Sequence, residues 1–196
     1  SDADLVADKF VEESRYLVRE LTVKLYKRNP DQLRKTPEMT IEKRLNQLRS
    51  RRGELVFDEL DGNQGIASLE LVFSPEFSGD RVFALIVGLG GMLRKAYGYH
   101  DEFFMFDKLD ADVLVASAQN VEILLWRLKN NRKQDGTPWL ITGEYQGIVD
   151  NLSFERLFGK LIGLQEMMAR ITDDSVNRRV TGAVHAVSSV FIPLPI

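Results

Sequence analysis

The richest chemistry in this sequence lies between Lys95 and Asp112. The stretch KAYGYHDEFFMFDKLDAD sets His100 beside Asp101 and Glu102, with Asp107, Asp110 and Asp112 close behind. A histidine next to a carboxylate is a minimal acid–base pair, and the same side chains are raw material for a metal site. The spacing supports neither strongly. A helical H-E-x-x-H site needs two histidines on one face, and the second histidine here is His185. The acids do not follow the alternating ligand pattern of an EF-hand loop, and its central glycine is missing. Asp110 also stands where a helix needs a cap. The aromatics Tyr97, Tyr99, Phe103, Phe104 and Phe106 point to a lid packed on a helical core. As rigid anchors beside charge they also make this loop, with His100, the first candidate for a partner surface.

A second candidate is the basic tract. Lys24, Lys27, Arg28, Arg34, Lys35, Lys43, Arg44, Arg49, Arg51 and Arg52 face only Asp31, Glu38 and Glu42 between positions 24 and 52. Such an excess attracts phosphates of lipid or nucleic acid, although most such runs are solvated helix faces. The stretch Lys43, Arg44, Arg49, Arg51, Arg52 is the basic surface expected to matter most. Nucleic acid is not expected as a partner: Tyr26 is the one interleaved aromatic, and the net charge is −3. In VGLGGM, Gly88, Gly90 and Gly91 match neither G-x-G-x-x-G nor a Walker loop. Glycine costs about 1 kcal/mol against alanine inside a helix, which points to a packing reason for keeping these. His185, on an apolar segment, reads as a core histidine. No G-x-S-x-G elbow occurs, and Ser117, Ser153, Ser188 and Ser189 have no base nearby in sequence. With no cysteine in the chain, disulfides, thiolate metal sites and thiol nucleophiles are excluded. No cofactor, metal or catalytic residue is expected.

The elements that must position these residues read as helices. Val6, Phe10, Leu17, Leu21 and Leu25 predict one long amphipathic helix over about 3–28, acidic at its start and basic at its end. Asn29-Pro30 stops it and caps a short turn. Thr36-Pro37 opens a helix to about Arg52, apolar along Ile41, Leu45 and Leu48, and Gly53 ends it. IASLELVF reads as a short helix, with a strand as the alternative. Asp80 caps RVFALIVGLGGMLRKAYG, which is apolar almost all round and is placed as the central, buried helix. Asp110 caps a helix to about Asn130, and WLITGEYQGIV is either a short strand or an ordered loop. Asn151 or Ser153 starts a helix to about Ile171, and Asp173 or Asp174 caps a last one, SVNRRVTGAVHAVSSVF. The expectation is one all-α domain over 1–196, an irregular bundle of about six helices. No stretch approaches the roughly 18 apolar residues that cross a bilayer.

LVRELTVKLYKRNP, GDRVFALIVGLGGMLRKAY, EFFMFDKLDADVLVASAQNVEILLWRL and NLSFERLFGKLIGLQEMM cover most of the chain. Together they resemble a family of proteobacterial envelope lipoproteins to which no chemistry is assigned. The resemblance implies a lipidated cysteine just ahead of Ser1 or near it and a periplasmic location, and it carries over no catalytic residues. The expected function is a non-catalytic binding or assembly module whose partner is an envelope protein or a lipid surface. The alternatives are a helical hydrolase using His100 with Asp101 or Glu102, and a nucleic-acid adaptor working through the basic tract.

Overall fold

The computed structural model describes residues 2–99, 109–145, 148–149, 152–173 and 190–195. The last expected helix, with His185, and the outer part of the aromatic loop lie outside them. Seven helices account for most of the described chain: α1 (Asp2–Arg28), α2 (Pro30–Leu33), α3 (Ile41–Ser50), α4 (Gly65–Leu71), α5 (Arg81–Ala96), α6 (Ala111–Asn130) and α7 (Ser153–Thr172). The protein is an all-α bundle, as its periodicity predicts. The ambiguous WLITGEYQGIV segment contributes a minimal antiparallel ladder that pairs Glu144 with Val149 and Tyr145 with Ile148.

The central helix is α5. Of its residues only Gly90, Arg94 and Lys95 are not buried. The Asp80 carboxylate accepts from the Phe83 N–H at 2.9 Å and fixes its start. α4 lies tight against it. A Cβ on Gly88 would sit 2.7 Å from Leu69 Cγ and 2.8 Å from the Gly65 carbonyl oxygen. This contact needs glycine, and it explains why IASLELVF is helical: its backbone packs on α5. α1 buries Leu17, Leu21 and Leu25 against the same core. Val6 departs from the expected stripe and is exposed, because Ala7 and Val11 take the inner positions in the first turns.

The main core runs through α1, α4, α5, α6 and α7. A second cluster joins Ala7 and Val11 to Ala96, Tyr97, Leu114 and Met168. Nearby runs a buried polar string. The Tyr97 hydroxyl donates to Gln165 Oε1, and Gln165 Nε2 donates to Ser117 Oγ, both at 2.8 Å; Ser117 then donates to the Leu114 carbonyl at 2.7 Å. These bonds satisfy polar atoms that would otherwise be costly to bury, and they hold α5, α6 and α7 in register. Burial pushes the Tyr97 hydroxyl up, so it stays protonated and serves as a donor.

Two local expectations are corrected. Thr36-Pro37 does not open α3. The helix begins at Ile41, where the Thr40 hydroxyl accepts from the Lys43 N–H at 3.1 Å, and it ends at Ser50. Thr36 instead accepts a bond from Arg44 through its hydroxyl, which places it in a side-chain network rather than at a cap. Asn29 does not cap α2 with its side chain. Its amide reaches across the fold, donating to the carbonyls of Leu25 and Ile141 at 2.9 Å and accepting from the Ile141 N–H at 2.8 Å.

Candidate binding groove

The two surfaces expected from sequence fare differently. Tyr97 is buried and bonds to Gln165, so it is not an exposed anchor, although it lines the cavity between α1, α3 and α5. Tyr99 is exposed with φ at +60°, and its N–H donates to the Arg94 carbonyl at 2.7 Å as the chain leaves α5. His100, Phe103, Phe104 and Phe106 lie outside the described residues.

In the basic tract Arg44 must be corrected. It is not a surface residue but is fully buried. Its guanidinium pairs with Asp80 at 3.1 Å and with Glu59, donates to Gln47 and Thr36, and lies 3.8 Å from the centre of the Phe83 ring. The Tyr26 hydroxyl also donates to Asp80, at 2.8 Å. Burial pushes the Asp80 carboxyl above its ordinary value, against the hydrogen bonds and the arginine that favour its charged form. The reason for the burial is positional. On a helix, 41, 44 and 48 share one face, and Ile41 and Leu48 both pack on the core.

Other arginines are also structural. Arg81 donates to the carbonyls of Leu71, Val72, Ser74 and Phe77 and stacks on Trp139 at 4.4 Å. Arg127 forms a two-pronged pair with Glu70 at 3.0 and 3.1 Å, beside the rings of Phe73 and Phe191. Fork geometry and aromatic stacking are what arginine offers and lysine does not.

Arg49, Arg51 and Arg52 do reach the surface, and they meet partners that sequence reading missed. Between α1, the end of α3 and α5 lies a cavity of about 530 Å³. Its floor is mainly apolar, formed by Val11, Val18, Leu45, Leu48, Leu55, Leu93 and the bare backbone of Gly90, with Ser14 and Tyr97 as the polar residues of the buried lining. Its walls carry Arg15 and Arg19 from α1 opposite Arg49, Arg51 and Arg52, with Glu42 the one acid among the lining residues. Tyr16 stands at the edge, 53% exposed. The groove lies where the central helix shows itself: Gly90 and Arg94, one turn apart, are the positions at which α5 escapes full burial inside it.

Arg94 organises the rim. It donates to the carbonyls of Leu48 at 2.8 Å, Arg51 at 2.7 Å and Gly53 at 3.0 Å. These carbonyls lie at and beyond the C-terminal end of α3, where a cation is favoured. The turn that carries Arg51 and Arg52 is thereby pinned to α5. Arg51 lies 4.5 Å from the centre of the Phe57 ring, which restrains it further. Arg15 and Arg19 had a legible signal, an i, i+4 pair on one face of α1. What sequence could not show is that this face turns toward Arg49.

The site offers donors above an apolar floor, an arrangement suited to holding an anion that carries an apolar body. Among the described residues no group of three or more His, Asp or Glu is placed to hold a metal ion. Among them, too, no helix is long and apolar enough to cross a membrane. The chain matches no protein-family model, no curated protein and no solved structure.

Proposed function

We propose that this chain is a non-catalytic binding or assembly module of the bacterial cell envelope, held at a membrane on the periplasmic side by a lipidated cysteine ahead of Ser1. Its contact surface is the groove between α1, α3 and α5. The observation that carries this reading is the lopsided charge of the groove, where arginines from two helices face one glutamate over an apolar floor. A surface of this kind attracts acidic headgroups and supplies a second membrane signal beside an acyl anchor. The resemblance to envelope lipoproteins supplies the location.

The test is the fate of the native gene product in its host. Cell fractionation and an intact mass should give a membrane-associated species heavier than its polypeptide by added acyl chains. An unmodified protein in the cytosol overturns the envelope reading.

A further inference from the structure

Resting on that reading, we propose that the groove takes a single-chain phospholipid, with the acyl chain along the apolar floor and the phosphate on the arginine rim. Three observations lead there. The cavity, about 530 Å³, lies inside the range of about 300–1,000 Å³ typical of small-ligand sites. The floor is built mainly from Val18, Leu45, Leu48, Leu55 and Leu93, with Gly90 presenting bare backbone beside Leu55. A peptide backbone laid on such a floor would leave its polar groups without partners, whereas an alkyl chain has none to satisfy. The rim supplies exposed guanidinium donors from both helices, Arg19 from α1 and Arg49 from α3, with Arg52 just beyond it. Arginine forks match phosphate oxygens in pairs, and a phosphate presents enough acceptors to engage both walls at once.

Charge complementarity also decides against the other occupants. A nucleic acid would bring phosphates, but Tyr16 is the one exposed aromatic lining the groove on which a base could stack. A neutral lipid would leave the rim unanswered.

The test is calorimetric titration of the full chain with myristoyl lysophosphatidylglycerol below its micellar concentration. Inorganic phosphate, myristyl alcohol and an oligoglutamate peptide run as separate arms. Two variants accompany the wild type, each checked by its melting curve. Leu45→Trp fills the half-buried floor, and the double variant Arg19→Glu with Arg49→Glu reverses two exposed charges across the rim. The expected result is saturable binding of the lysophospholipid, with phosphate and alcohol each weaker by about 100-fold or more. The charge reversal should weaken binding at least about 100-fold, since each charge-assisted bond is worth roughly ten-fold or more. Leu45→Trp should weaken it about ten-fold or more, as its ring takes the place of buried methylenes.

The proposal is overturned if the lysophospholipid does not bind, or binds equally to both variants while they melt like the wild type. It is equally overturned if phosphate alone binds as well, which would mean a plain anion site, or if oligoglutamate competes on equal terms, which would mean a protein-docking surface. A membrane-associated, acylated protein that ignores the lysophospholipid keeps the envelope reading and removes this one. A cytosolic, unmodified protein that binds it through the groove does the reverse.

Discussion

Arg44 and Arg49 lie on the same ten-residue helix, yet one is sealed in the core and the other stands in solvent at the mouth of the groove. At 3.6 residues per turn they point roughly 140° apart. The inner arginine is enclosed by fixed partners: Asp80, Glu59, Thr36, Gln47 and the face of Phe83. The outer one hydrogen-bonds to Asn46, its neighbour on the same exposed turn. A buried charge is held in place because leaving any of its partners alone is costly, whereas an exposed charge contributes little to the fold and stays available to a ligand. One run of basic residues therefore carries two different roles, and helical phase assigns them.

The sharpest way to break this comparison is Arg44→Ala. The substitution leaves the Asp80 carboxylate buried with Tyr26 and the Phe83 N–H as its remaining partners. Removing one side of a buried pair costs about 3–5 kcal/mol, and urea unfolding should show a loss of that order. Pairing Arg44→Met with Asp80→Asn removes both charges and should recover part of it. A loss below about 1 kcal/mol for Arg44→Ala would place Arg44 among ordinary surface charges, and the contrast with Arg49 would disappear.

The same contrast runs along α5, between its inner side and its groove side. Gly88→Ala drives a methyl into Leu69 and the Gly65 carbonyl oxygen, contacts of 2.7 and 2.8 Å that need a backbone to move. The expected net loss is about 1–3 kcal/mol, after the gain in helix propensity that alanine brings. Gly90→Ala meets only the tip of Leu55 at 3.2 Å, which can rotate away. It should change stability by less than about 1 kcal/mol, of either sign, because the clash and the propensity gain are similar in size. Thermal melts of the two variants side by side decide the matter. Equal losses would mean that the groove side of α5 is packed as tightly as its core side.

Much of this division was legible in the sequence. The all-round apolar stretch from Arg81 to Ala96 reads best as a buried helix, although RVFALIVG alone could also be a strand, and Asp80 and Asp110 stood where caps were needed. The glycines at 88 and 91 read correctly as a close helix contact, since the backbone of Gly65 approaches both. Arg44 was readable too, because it falls between Ile41 and Leu48 on the stripe; a count of charges hid what the phase would have revealed. The groove was not readable. Its two walls are separated in sequence by α2 and the turn before α3. They meet because Arg94 ties the end of α3 to α5 while α1 packs on the same helix. Nothing local to Arg15 or Arg19 encodes that meeting. The helix start at Thr36-Pro37 failed for a related reason: the Thr36 hydroxyl is taken by Arg44, a partner outside its own turn.

The smallest expected effect is the most informative about the outer population. Arg49→Ala and Arg52→Ala should each leave the unfolding free energy within about 0.5 kcal/mol of the wild type, as exposed side chains without buried partners do. The null effect carries weight because both residues neighbour the turn that Arg94 holds. Arg94 holds the turn by its backbone carbonyls, so the turn should keep its shape when the Arg49 and Arg52 side chains are trimmed. If either alanine variant unfolds at clearly lower urea concentration, its guanidinium is part of the structure as Arg44's is, and it cannot be counted as a free donor for a ligand. If both are neutral, any loss of anion binding they show belongs to the groove itself and not to a weakened fold.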